Sequence, residues 1–140
     1  LVLTLFSFIA NWLKYFVSAT MHTGLRSNVS DFRKCARTIT LDPVTEFLYW
    51  RMNWHLEHHM YAAVPCYNLK KLHRAIAGDM PKPRTLVSAW HEMRETKRRQ
   101  KVDPTYEFDT PVPSAARDSG AVLDATLVAS LGDLAPRELA

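Results

Sequence analysis

His55, His58 and His59 place three imidazoles at positions i, i+3 and i+4, directly after Trp54 and around Leu56 and Glu57. On an α-helix these positions share one face, so three nitrogen donors converge on one region. The surrounding stretch, 44–64, is apolar on nearly every side through Phe47, Leu48, Tyr49, Trp50, Met52, Trp54, Leu56, Met60 and Tyr61. A helix that is apolar all round is buried in protein or lipid. Three imidazoles buried together without a shared partner would leave several unsatisfied polar groups, each costing about 1–3 kcal/mol. A metal ion removes that cost by taking one nitrogen from each ring, and imidazole suits Zn, Cu, Fe and Ni. The spacing therefore predicts a metal site on a buried helix that Pro65 ends.

At 140 residues the chain is nominally one domain. Because it begins with Leu1 on an apolar run, it reads as the C-terminal fragment of something longer. Residues 1–21, strongly apolar but interrupted by Asn11 and Lys14, just meet the roughly 20-residue requirement of a membrane helix. Trp12 and Tyr15 stand where interfacial aromatics do. Beyond His22 the text turns polar: Ser30 or Asp31 can cap a short helix, 37–40 is extended, and Asp42-Pro43 starts a new helix. The central histidine helix covers 44–64. Amphipathic helices follow over 66–101, broken at Gly78-Asp79, Pro81 and Pro83. From 103 to 140 the composition predicts a flexible tail, with a short helix possible around 121–131. The expected fold class is all-α: an integral membrane helical fragment with a domain over 1–102 (1–21 membrane helix, 22–64 histidine-box region, 65–102 basic cytosolic helices) and a disordered tail over 103–140.

Charge is unevenly spread. Between Cys66 and Lys101 ten Lys/Arg face three acids, whereas from Val102 onward seven acids face Arg117 and Arg137 alone. Only Tyr67 and Trp90 could stack bases in the basic block, which argues against nucleic acid. A basic segment after membrane-associated sequence fits attraction to anionic lipid, and a solvated helix face is the plain alternative. Cys35 and Cys66 lie 31 residues apart, match no metal or redox spacing, and read as reduced thiols.

Established metal patterns do not fit. His91-Glu92-Met93-Arg94-Glu95 puts Glu where a zincin needs its second His, and the inverted H-x-x-E-H spacing is missed at His55 by one residue. No Glu precedes a motif histidine by three positions, as carboxylate di-iron bundles require. What does fit is Asn53-Trp54-His55-Leu56-Glu57-His58-His59-Met60, which resembles the last histidine box of the membrane-bound fatty acid desaturase and hydroxylase superfamily. Met21-His22-Thr23-Gly24-Leu25, Arg37-Thr38 and Pro43 upstream, and Val64 to Leu69 with Leu72-His73 downstream, extend the likeness over about residues 10–100.

The resemblance implies an integral membrane enzyme with a cytosol-facing, histidine-ligated di-iron centre that activates O2 to desaturate an acyl chain. Its electrons come from ferredoxin or a cytochrome b5-type donor. By position His55, His58 and His59 are implied iron ligands, and His22, 33 residues upstream of His55, matches an additional isolated ligand. Glu57 is implied either as a hydrogen-bond partner to the ligands or as an outward structural residue, and His73 and His91 as ordinary polar residues. The family's two earlier histidine boxes do not occur in these 140 residues, so this chain alone is expected to be inactive. Two other readings stay open: a membrane hydroxylase or ketolase of alkanes, sterols or carotenoids, and a non-enzymatic metal-binding or decayed membrane-surface remnant.

Overall fold

The computed structural model describes residues 2–122, with the side chains of residues 2, 3, 6, 10, 13 and 119 outside that description. Helices dominate. The first, α1 (Val2–His22), turns Leu5, Phe8, Ile9, Trp12, Tyr15 and Phe16 to the surface at helical spacing and buries Val17, Thr20 and Met21 near its end. The helix forms where the sequence predicts one, but its expected role as a membrane span is not supported. No helix among the described residues is long and apolar enough to cross a membrane. Thr4, Ser7, Asn11, Lys14, Ser18 and Thr20 dilute the apolar run.

The caps follow the sequence. Asp31 accepts from the Arg33 N–H at 3.0 Å to start α2 (Phe32–Cys35). Asp42 accepts from Val44 and Thr45 at 3.1 Å each and, with Pro43 in the first turn, starts α3 (Pro43–Leu48). The extended stretch between them contains β1 (Ile39–Thr40), which pairs in parallel with β2 (Arg84–Thr85).

The single helix expected over 44–64 is two helices. Trp50 (φ 55°) and Arg51 (φ 56°) are left-handed, a conformation that L-residues adopt singly and at a cost, so α3 stops there. The six-residue helix α4 (His55–Met60) then begins in a new direction. The redirection is held by buried Asn53, whose carbonyl accepts from Ile39 N–H at 2.9 Å and whose amide donates to the Ile39 carbonyl at 2.8 Å. The break leaves Phe47 and Trp50 73% and 75% exposed, against the expectation of burial on all sides.

Beyond Pro65 come α5 (Leu69–Ile76), a short 3-10 turn at Ala77–Asp79, α6 (Leu86–Gln100) capped by Thr85, and α7 (Ser119–Val122). One core gathers Leu56 and Met60 from α4, Leu69, Leu72 and Ile76 from α5, and Met80 just after the 3-10 turn. A second gathers Val17, Met21, Ile39 and Ala89 where α1, β1 and α6 meet. Gly24 (φ 76°) lets α6 close on the end of α1, since a Cβ there would stand 2.6 Å from Thr96 Cγ2. Cys35 and Cys66 are free thiols.

Residues 103–122 do not behave as the loose tail expected from their composition. Phe108 N–H donates to the Gly24 carbonyl at 2.8 Å, Lys34 pairs with Asp109 at 2.8 Å, and Arg117 pairs with Asp79 at 2.6 Å. Val122 is fully buried in the first core. The remainder of the predicted tail, and most of the helix expected around 121–131, lies outside the described residues.

Candidate metal centre

The stretch 37–39 joins the two histidine-bearing helices. Arg37 N–H donates to the Met21 carbonyl at 2.9 Å, and its buried guanidinium reaches the Thr20 and Thr23 carbonyls at 2.8 and 3.0 Å and Glu92 at 2.6 Å. Two residues later Ile39 holds Asn53. The last turn of α1 and the first turn of α4 are thus tied to one strand, and His22 is brought against His55 although 33 residues separate them.

Three imidazoles meet there. The Nε2 atoms of His22 and His55 stand 2.7 Å apart, those of His55 and His59 3.1 Å, and those of His22 and His59 3.3 Å. His22 Nδ1 lies 2.9 Å from the Cys35 carbonyl, which can only accept, so Nδ1 carries the proton and Nε2 presents its lone pair inward. Phe32 stacks on His59 with ring centroids 5.9 Å apart. Burial, reinforced by the neighbouring His22, His59 and His58 rings, pushes His55 down to about 3. The Met52 carbonyl opposes this weakly, without a well-shaped hydrogen bond to the buried Nδ1. His59 is likewise held below the usual histidine range, first by burial and then by His22 and His58. Both rings are therefore neutral at physiological pH, the state in which imidazole ligates.

The donor set fits a metal ion. A proton shared across the shortest gap satisfies one pair and leaves the third nitrogen facing like polarity, whereas one cation satisfies all three. Nitrogens about 2.1 Å from a common ion stand roughly 3.0–3.4 Å apart in octahedral or tetrahedral arrangements, close to the separations seen. His22, His55 and His59 form the metal-capable group among the described residues. The structure does not bring His58 into it: its ring centroid lies 6.3 Å from that of His55 and 6.0 Å from that of His59.

The opposite side of α4 carries a contact that sequence reasoning does not pair. Glu57 is fully buried. One carboxylate oxygen accepts a very short hydrogen bond from the Thr38 hydroxyl, and the other lies 2.5 Å from His73 Nδ1. His73 also packs on Trp54, with ring centroids 4.8 Å apart. Glu57 thus faces inward as a bracing group, away from the three converging nitrogens, and His73 is its partner. The available signal was a charged residue inside an apolar helix, which requires a buried partner.

Beside His55 an apolar hollow of about 520 Å³ opens between α1 and the turn after α3, lined by Lys14, Ser18, Leu48, Tyr49, Trp50 and Met52. A helical scaffold that brings three imidazoles together, with His55 also lining an apolar hollow, defines a candidate metalloprotein. The fatty acid desaturase family model matches residues 1–90, a stretch that includes all four of His22, His55, His58 and His59, and the chain belongs to that family. No curated protein sequence and no solved structure matches significantly.

Proposed function

We propose that the full-length protein is an acyl-lipid or fatty acid desaturase whose di-iron centre is completed by histidines outside these 140 residues. The observation that carries this reading is the convergence of three Nε2 atoms within 3.3 Å of one another beside an apolar hollow. Iron bound there would supply the activation of O2 that removes two hydrogens from adjacent carbons of an acyl chain, with two electrons and two protons completing reduction to water. His22, His55 and His59 would hold the ion from this side, and the neutral state of His55 and His59 keeps their lone pairs available. The apolar lining of Leu48, Tyr49, Trp50 and Met52 would receive methylene groups. His58, whose ring stands apart from the three, would be available to a second ion of such a centre.

The reading extends to an integral membrane setting, with the histidine centre and the C-terminus on the cytoplasmic side and electrons delivered by ferredoxin or a cytochrome b5-type donor. The exposed apolar stripe of α1 supports the membrane setting. The test is mass spectrometry of lipids from cells expressing the full-length protein or its His55→Ala variant. Acyl chains lacking two hydrogens, lost in the variant, are expected. Acyl chains carrying an added oxygen would make the protein a hydroxylase, and unaltered lipid would overturn the enzymatic reading.

A further inference from the structure

α1 and α6 run side by side in the same direction. Phe16 stacks on Trp90 with ring centroids 5.0 Å apart, the Trp90 indole donates to the Phe16 carbonyl at 3.0 Å, and eight residues later Gly24 meets Thr96. Read along this shared direction, the exposed surface changes chemistry in order. Leu5, Phe8 and Ile9 come first, then the aromatic group Trp12, Tyr15, Phe16 and Trp90, with Val87 at 81% exposure beside it. Arg94, Lys97, Arg98 and Lys101 follow on the solvent side of α6, whose opposite side buries Ala89, Met93 and Thr96. At about 1.5 Å per residue the basic stretch from Arg94 to Lys101 runs from roughly 6 to roughly 16 Å beyond the level of Trp90.

Where aromatic and basic levels meet, α1 and α6 leave a groove of about 450 Å³ walled by Trp12, Tyr15, Phe16, Val87 and Trp90 and closed at one end by Arg94. Arg98 and Arg99 spend their charge on Glu95. Among the described residues no acid stands within ion-pairing distance of Arg94, Lys97 or Lys101, so these cations are available to an external anion. An apolar wall, a belt of tryptophan and tyrosine and a cationic end match, in that order, acyl chain, interface and negatively charged headgroup. An acidic protein would complement the cations but not the apolar wall that leads into them.

We propose that the α1–α6 groove binds an anionic phospholipid, with its headgroup phosphate at Arg94, where the groove ends, with Lys97 and Lys101 beyond it adding to the local positive potential, and with its acyl chain along Trp12, Phe16 and Val87. This fixes the membrane boundary at the level of Trp12 and Trp90. The inference rests on the membrane setting proposed above but not on the reaction, and its test reads lipid binding alone.

The test is flotation of the 140-residue chain with vesicles of phosphatidylcholine, with and without phosphatidylglycerol. Phosphatidylglycerol is expected to strengthen binding. Arg94→Gln is expected to weaken binding to the anionic vesicles about fivefold, and Arg94→Gln with Lys97→Gln and Lys101→Gln about 100-fold, with binding to pure phosphatidylcholine unchanged. These side chains are exposed, and metal binding at the histidines, read in parallel, confirms that each variant is folded. Equal binding to both kinds of vesicle, or variants without effect, overturns the proposal. Variants that leave vesicle binding intact but slow reduction by an acidic electron-transfer protein would assign the cations to that protein and overturn it equally.

Discussion

The two faces of α4 solve the same problem in opposite ways. On one face Glu57, fully buried, has both carboxylate oxygens occupied, by Thr38 and by His73. On the other, His55 and His59 aim lone pairs at each other and at His22 across gaps of 2.7 to 3.3 Å. Both faces remove polar groups from water, and unsatisfied groups of this kind are costly. Only the Glu57 face is complete within the protein. The histidine face is an arrangement that the fold maintains at its own expense and that a cation would complete, which separates a buried polar group satisfied by the protein from a set left open to a ligand on a six-residue helix.

The largest expected effect falls on the completed face. Glu57→Ala strands His73 and Thr38 and should cost about 1–3 kcal/mol for each polar group left unsatisfied. Glu57→Gln, which keeps the shape and a hydrogen-bonding group, should cost about 1 kcal/mol. Urea unfolding of the metal-free chain measures both. If the alanine variant is as stable as the glutamine variant, Glu57 is not the brace of α4.

On the other face the loss should appear in metal affinity instead. His55→Ala, His59→Ala and His22→Ala should each weaken Co(II) binding more than about 100-fold, beyond the 10–100-fold scale of groups that only orient a ligand. His58→Ala should stay within about tenfold. Metal-free stability of His55→Ala should fall less than that of Glu57→Ala, because the lost Nε2 shares at most one proton with the neighbouring imidazoles. Calorimetric titration of the four variants decides this, and a loss at His58 equal to that at His55 would redraw the cluster.

The histidine face should also give the metal-free chain a pH dependence. With His55 held near 3 and His59 depressed, the unfolded chain takes up protons below about 6.5 that the folded chain refuses. Stability is therefore full above pH 6.5 and falls as pH drops toward 3, by roughly 1.4 kcal/mol per pH unit for one imidazole. Denaturant midpoints across that window should show the slope in the wild-type chain and a reduced slope in His55→Ala. Equal slopes would mean that His55 is not the group responsible.

The complete and incomplete faces were not equally legible. Asp31, Asp42 and Pro43 announce their helix starts because capping is a contact between residues two or three apart. The histidine spacing is local in the same way for His55 and His59, four apart on one helix, whereas the approach of His22 and the turning away of His58 depend on the tertiary fold. The break at Trp50 and Arg51 carries no glycine, asparagine or proline to mark it. It depends on Asn53 finding Ile39, which is a tertiary event, and the apolar pattern of 44–64 reads as one helix without it. The pairing of Glu57 with His73 spans 16 residues and two helices, so sequence can demand a partner for the carboxylate but not name it. Packing of 103–122 is equally non-local. Its composition is poor in core formers, yet single residues such as Val122 and Arg117 find places on a surface that other segments build.

That docked segment offers the smallest and most discriminating effect. Arg33 donates to the Arg117 carbonyl at 2.8 Å and to the Asp79 carbonyl at 3.2 Å, while Asp79 holds the Arg117 side chain at 2.6 Å. Arg33 sits on α2, the helix whose Cys35 carbonyl orients His22 and whose Phe32 stacks on His59. Residues 103–122 therefore brace the histidine face from behind without touching it. Arg117 is itself 45% exposed, so Arg117→Ala should cost less than about 1 kcal/mol of global stability. Its effect should instead be local: faster amide exchange over 32–35, and Co(II) affinity reduced by less than about tenfold, the lower end for groups acting through a ligand's support. Exchange that accelerates only beyond residue 103, with α2 and metal affinity unmoved, would show that the segment rests on the histidine wall without holding it.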